Sequence, residues 1–189
     1  MYQPLFDFLQ LFKYISPEDE KAITNVLQFK KVKAGKVLLE EGKYANEFFF
    51  IAKGILKITT LNEKGTAVTY FFLKENQFCT LLNSFNNNVP GHESIIAATD
   101  AELIVFTKEN LLSLYDSIPY FKELIHGITQ QSLLDKIQLR NSYLGDDASG
   151  RYHKFLINQS DIALRVALSD VASYLGITQQ SLSRIRKNK

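Results

Sequence analysis

The sequence predicts an α+β chain, in which short antiparallel strands pack as a sandwich or barrel and are followed by a long helix and a helix-turn-helix. Three observations carry this. Between Phe29 and Thr107, runs of strand-forming residues recur every eight to twelve residues, divided by turn signals. From Tyr120 to about Leu144 one helical apolar pattern runs on much further than any strand could. Leu168 to Lys187 then splits into two short helical patterns at Gly176.

Taken in order, Leu5, Phe6, Leu9, Leu11 and Phe12 give a helical stripe at the start. Ser16-Pro17-Glu18-Asp19-Glu20 predicts a helix start, with Ser as cap, Pro in the first turn and acids at the positive end of the dipole; this helix should end near Leu27. Strands are expected at Phe29–Val32, Val37–Leu39, Glu47–Ile51, Ile55–Leu61, Thr66–Leu73, Glu93–Ala98 and Glu102–Thr107, with Asn62–Gly65 as a hairpin turn. A short helix is expected at Lys108–Tyr115. Pro119 then opens the long helix, whose apolar stripe includes Phe121, Leu124, Ile125 and Ile128 and resumes at Leu133, Leu134 and Ile137. Such a stripe serves either a helix lying on the barrel or a helix pairing with its twin, and its length favours the twin. Gly145–Gly150 reads as a hinge by composition, and Arg151–Asn158 as a further helix.

The last twenty residues carry the chemistry. Val171, Ala172 and Leu175 precede the break, and Ile177, Leu182 and Ile185 follow it, all inward in a helix-turn-helix register. Ala172 is small where the helices cross, and Gly176 can take the positive φ of the turn. Thr178 is placed to cap the second helix. Its outward face carries Gln179, Gln180, Ser183, Arg184 and Lys187, groups that read bases or bind phosphates. A plain helical hairpin would not need this register, nor Arg184, Arg186, Lys187 and Lys189 so close together. Charge agrees: residues 151–189 have a net +5, whereas residues 1–150 have a net −3.

Several classes are set aside. One cysteine, Cys79, excludes an internal disulfide or a cysteine cluster and reads as a buried, inert thiol. His92, His126 and His153 lack metal-ligand spacing, so no metal and no cofactor is expected. No phosphate-cradling Gly-rich loop or nucleophile elbow appears, so an enzyme is not expected. No stretch approaches ~20 apolar residues, and the first residues lack a basic secretory start, so no membrane association and a cytoplasmic location are expected.

Lys33-Ala-Gly-Lys36, Glu41-Gly42 and Glu47-Phe-Phe-Phe-Ile-Ala-Lys-Gly54, together with Leu175-Gly-Ile-Thr-Gln-Gln-Ser-Leu-Ser-Arg184, resemble the CRP/FNR family of bacterial transcription regulators over nearly the whole chain. The resemblance implies an antiparallel double-stranded β-helix, a jelly-roll-like β-roll of the cyclic-nucleotide-binding type, with flanking helices, a long dimerisation helix and a C-terminal helix-turn-helix. It implies an effector domain at residues 1–118, a dimerisation helix and hinge at 119–145, and a DNA-binding domain at 146–189. The implied partners are a second copy of the chain and double-stranded DNA with a two-fold operator. Phe121, Leu124, Ile125 and Ile128 would form the dimer contact; Thr178, Gln179, Gln180, Ser183, Arg184 and Lys187 would meet DNA. Gln180 stands where the family usually has Glu. The family's β-hairpin wing has no counterpart before Lys189, so the basic tail is expected to take over its phosphate contacts.

The resemblance also implies an effector pocket, here at Phe72, Phe78, Leu81, Leu82, Glu93 and Ser94, with Phe85 nearby. Thr80 and Leu81 stand where the family's Gly and ribose-binding Glu are expected, and no Lys or Arg occurs from Glu75 to Ser94. Cyclic AMP and cyclic GMP are therefore not expected to bind. Two readings stay open for the roll: a scaffold only, or a pocket for an uncharged or apolar small molecule. A binding or interaction module that does not touch DNA is the remaining alternative for the chain.

Overall fold

A computed structural model describes residues 1–187. Helix α1 (Gln3–Leu9) and helix α2 (Pro17–Val26) lead into the strands, and Ser16 caps α2 by accepting the Asp19 N–H at 3.1 Å. The strands are β1 (Gln28–Val32), β2 (Val37–Leu39), β3 (Glu47–Lys53), β4 (Leu56–Leu61), β5 (Ala67–Leu73), β6 (Phe78–Cys79), β7 (Ser94–Ala97) and β8 (Ala101–Thr107), with the short helix α3 (Leu82–Asn87) between β6 and β7. They form two antiparallel four-stranded sheets, ordered β1-β8-β3-β6 and β2-β7-β4-β5. This is the α+β roll expected, with β6 and α3 as additions. A two-residue strand and a one-turn helix are too short to show a period in sequence.

The sheets enclose an apolar centre built on Phe48–Ile51, Leu103–Phe106, Ile95 and Leu56, and Leu5, Phe6 and Leu9 of α1 join it. Gly54 lets the chain turn between β3 and β4. Its φ is +98°, and a Cβ there would stand 2.4 Å from the Asp100 carbonyl oxygen, so only glycine fits.

After β8 come α4 (Lys108–Ser117) and the long helix α5 (Phe121–Asn141). The two halves of α5 differ. Phe121, Ile125 and Ile128 are buried in the roll's own core, with Phe121 beside Phe106 and Tyr115, and Leu124 packs partly against it. Phe121, Ile125 and Ile128, assigned above to a dimer contact, are thus taken up by the chain's own roll, and Leu124 is half-buried beside them. A stripe at helical spacing satisfies whichever apolar surface lies nearest, and here that surface is α4 and β8. The uncovered apolar residues lie further on: Leu133, Leu134 and Ile137 are 43 to 48% exposed.

Helices α6 (Ala148–Asn158), α7 (Ser160–Ala163), α8 (Leu168–Tyr174) and α9 (Gln179–Lys187) complete the described chain. The expected hinge is shorter than its composition indicated. Asp147 caps α6 by accepting the Gly150 N–H at 2.7 Å, which draws Ala148, Ser149 and Gly150 into the helix. Likewise α5 ends at Asn141, with turns from Ser142 to Gly145.

A second cluster of buried side chains ties these helices to the roll. It joins Ile55 and Phe72 to Tyr143, Phe155, Val171, Leu175 and Leu182. The Phe72 ring lies 5.3 Å from that of Tyr174 and 6.5 Å from that of Phe155. Around it, Lys57 pairs with Asp170 at 2.5 Å, Lys74 with Asp161 at 2.6 Å, and Arg165 grips Glu75 through two nitrogens at 2.5 and 2.9 Å. Partly exposed pairs of this kind contribute about 0–1 kcal/mol each, while burying one phenyl group contributes about 1.5–3 kcal/mol. Phe72 therefore supplies the attraction and the ion pairs fix the orientation.

The Arg165 guanidinium, bonded to Glu75, holds that carboxyl down to about 2 from the usual 4.5. The unfolded chain binds more protons in that interval, so the stabilisation is complete above pH 4.5 and is lost as pH falls from 4.5 towards 2. Denaturant unfolding followed across this range should show stability falling with pH, and Glu75→Gln should flatten that slope. An equal slope in the variant would show that the pair does not contribute.

Candidate nucleic-acid interface and effector pocket

Helices α8 and α9 meet through Val171, Ala172, Leu175 and Leu182, all buried, with Ile177 and Ile185 packed at the margin. Ala172 sits in the crossing, where a larger side chain would push the helices apart. Gly176 takes φ +66°, and the turn closes through the Gly176 N–H to the Ser173 carbonyl at 3.1 Å and the Ile177 N–H to the Ala172 carbonyl at 3.0 Å. Thr178 Oγ1 accepts the Ser181 N–H at 3.1 Å and so caps α9. That cap use engages the Thr178 hydroxyl within the protein.

Gln179, Gln180, Ser183, Arg184, Arg186 and Lys187 are exposed along α9. None of the three cations has an ion-pair partner among the described residues. The other cations of the C-terminal third are differently employed. Arg151 donates from Nε to the Leu175 carbonyl at 3.0 Å and from Nη1 to the Asp146 carbonyl at 2.9 Å, pinning the start of α6 to the α8–α9 turn. Lys154 donates to the Ser142 carbonyl and pairs with Asp146, both at 2.7 Å. Arg165 is held by Glu75. The net charge of residues 151–189 thus overstated the free positive surface, which is concentrated on α9. Lys189, counted with the basic tail above, lies outside the described residues. Arg151 could have been singled out from sequence only by knowing that the Leu175 and Asp146 carbonyls come together and need donors.

The residues assigned to one effector pocket separate into several places. Leu81, Leu82 and Glu93 line one cavity of about 240 Å³, with Phe71, Gly91 and His92 from the roll and Lys136 from α5. Phe78 lines a neighbouring cavity, and Phe85 borders a third, near Lys108 and His126. Ser94 faces neither: its Oγ accepts the Glu41 N–H at 2.9 Å and ties β7 to the chain beyond β2. Phe72 is the clearest correction. Phe71 and Leu73 point to the roll's interior, so Phe72, between them, points outward to Tyr174 and Phe155. The unbroken apolar run Tyr70–Leu73 was the available signal, because a strand buried on both faces loses its alternation.

Within the first cavity's surroundings, Thr80 donates to the Glu47 carbonyl at 2.9 Å and Ser84 accepts the Ala45 N–H at 2.9 Å, so both hydroxyls serve the fold. Lys136 was missed altogether in the sequence. Burial pushes its pKa below the usual lysine value, against the raising influence of Cys79 and Asp135. Cys79 itself is buried, and burial pushes its thiol up to about 12, as suits an inert core group. Among the described residues no His, Cys, Asp and Glu cluster could hold a metal ion, and no helix is long and apolar enough to cross a membrane.

Comparison with known proteins gives the fold its relatives. Residues 29–117 match the family of the cyclic nucleotide-binding domain. No curated protein matches the sequence. Among solved structures, a transcriptional regulator of the CRP/FNR family from Eubacterium rectale aligns with TM-score 0.75 at 17% identity, over 96% of this chain and 87% of that one. The global regulator CLP of Xanthomonas campestris, which responds to c-di-GMP, aligns with TM-score 0.73 at 15% identity, over 92% and 91%. FixK2 from Bradyrhizobium japonicum aligns with TM-score 0.72 at 16% identity, over 86% and 84%. The first of these is named a transcriptional regulator and the second a global regulator. Residues 29–117 thus match the cyclic nucleotide-binding domain family, and the chain built around them shares the fold of the solved CRP/FNR-family regulator and of the other two structures.

Proposed function

We propose that this protein is a DNA-binding transcription regulator of the cytoplasm that works as a two-fold dimer. Residues 1–118 act as the effector domain, 119–145 as dimerisation helix and hinge, and 146–189 as the DNA-binding domain. The observation that carries the reading is the exposed face of α9. Its cations have no ion-pair partner among the described residues, while Arg151, Lys154 and Arg165 beside it are all engaged. Helix α9 enters the major groove, Gln180, Ser183 and Arg184 face base edges, and Arg186 and Lys187 meet phosphates. Selection of bound duplexes from a random pool tests this, and the expected product is a palindrome with half-sites one helical turn, about 34 Å, apart. Recovery of no preferred sequence would sink it.

Arg184→Ala should relax preference at one base pair in each half-site, since a bidentate Arg–guanine contact gives about 1–3 kcal/mol of discrimination. A base-substitution binding series reads this directly. Lys187→Ala should instead weaken all sequences alike and lower the salt slope by about one.

The dimer contact falls on the second half of α5. Leu133, Leu134 and Ile137 form an exposed apolar stripe that a twin helix would cover. Leu134→Glu with Ile137→Glu should yield a folded monomer by light scattering. Ile128→Asp, at a position buried in the roll, should instead lower thermal stability by about 3 kcal/mol or more. The reverse pattern would return the interface to the first half of the helix.

The roll is proposed not to respond to cyclic AMP. Lys136 is the one Lys or Arg lining the Glu93 cavity; it comes from α5 rather than from the roll, and Glu93 places a carboxylate in the same space. A cyclic phosphate there meets repulsion as well as attraction. Calorimetric titration should show no micromolar binding of cyclic AMP or cyclic GMP. Micromolar binding that Lys136→Met abolished would reverse this conclusion.

A further inference from the structure

A second cavity, of about 230 Å³, adjoins the Glu93 cavity and shares Leu82, Leu133 and Lys136 with it. Phe8 of α1 covers it and Phe12, in the turn after α1 and 54% exposed, stands at the rim. Phe48 and Phe78 supply the opposite aromatic wall, their rings 5.0 Å apart, and Phe8 lies 6.1 Å from Phe78. From the roll, Asn76, Gln77 and Thr80 line it; the Thr80 hydroxyl is bonded to the Glu47 carbonyl and Gln77 Oε1 accepts the Lys74 N–H at 3.0 Å.

Helix α5 adds Thr129, Gln131, Ser132, Asp135 and Lys136 to the polar lining, and two of these groups are unspent. Ser132 Oγ is buried and has no hydrogen-bond partner among the described residues. Lys136 makes no hydrogen bond and no ion pair among the described residues, yet burial already disfavours its charge. The neighbours on the helix are satisfied. Thr129 donates to the Ile125 carbonyl at 2.8 Å, and Gln131 donates to the exposed Asp135 carboxylate at 2.8 Å. Ser132 and Lys136 are four residues apart and so stand one above the other on the same helical face. A buried hydroxyl and a desolvated ammonium without partners are each costly, and the pair costs least when an acceptor bridges them.

We propose that this cavity is a ligand site for a small monocarboxylic acid with an aromatic body. Its carboxylate pairs with Lys136 and accepts from Ser132, and its ring lies among Phe8, Phe48 and Phe78. One ammonium and one hydroxyl match a single negative charge; a phosphate would call for a second cation or an Arg fork, and the lining offers neither. Aromatic walls at these spacings favour a ring over a chain. The volume lies below the ~300 Å³ at which drug-sized pockets begin, so the acid is small. Because the site joins α1, the roll and α5, a bound acid would bear on the same helix that the proposed dimer uses. Only that regulatory consequence rests on the proposed function; binding itself does not.

The test titrates the full chain with 3-phenylpropionate and with 3-phenylpropanol, which share a body and differ in charge. The acid should bind about tenfold or more tightly than the alcohol. Lys136→Met, which keeps the aliphatic stem, should abolish that preference while leaving the alcohol's affinity in place. Equal binding of acid and alcohol by the unaltered protein, or no saturable binding of either, would overturn the site without any variant. A preference that survives in folded Lys136→Met would overturn the role of the ammonium. Duplex binding measured without acid stands apart: sequence-specific DNA binding alongside failure here leaves the regulator reading intact and removes only this site.

Discussion

An edge strand with aromatic residues on its outer face needs a cover, because unpaired backbone groups beside exposed apolar surface invite pairing with other chains. Strand β5 is such an edge, and the C-terminal helices are its cover. Phe72 leaves the roll and enters the cluster of Phe155 and Tyr174, while the Thr69 N–H, at the free side of the strand, donates to Ser173 Oγ at 2.9 Å. Helix α8 thus docks by both faces of one requirement, an apolar plug and a backbone donor. The placement of everything after α5 follows from it, including which way α9 turns its cations.

Helix α5 resolves two demands along its length. Its first half is consumed by the roll through Phe121, Ile125 and Ile128, and its second half leaves Leu133, Leu134 and Ile137 open. Ser132, just before the second half, and Lys136, within it, turn to the cavities. On the proposed reading, a single helix therefore touches the roll, a bound molecule and a second copy, with Leu133 at the border of the last two. Coupling between such sites needs no long pathway, since a shift of the helix against the roll changes all three at once.

Charge in the C-terminal third separates into two uses. Arg151, Lys154 and Arg165 satisfy carbonyls and carboxylates that hold helices together, and Arg184, Arg186 and Lys187 remain at the surface. The first group sets the geometry with which the second is presented. On the proposed DNA-binding reading, removing a charge from either group would weaken binding, but only the second group would change the salt dependence directly.

Local periodicity and turn chemistry determined much of this protein from sequence alone. The strand spacing, the Ser16 cap, the Gly176 break and the inward set from Val171 to Ile185 follow from φ preferences and side-chain alternation, which act over a few residues. The exposed face of α9 was legible for the same reason. Contacts between elements were not. The period of α5 shows that Phe121 to Ile128 share a face, but it carries no information on whether that face meets the roll or a twin. The apolar run at Phe71–Leu73 shows burial on both sides of a strand, yet only the tertiary structure assigns Phe72 to the C-terminal helices. Lys136 lies more than forty residues beyond the segment whose cavity it enters, and no local pattern relates the two. Tertiary structure decided these points because packing selects among surfaces that are chemically alike, and the selection depends on which of them the chain's topology brings together.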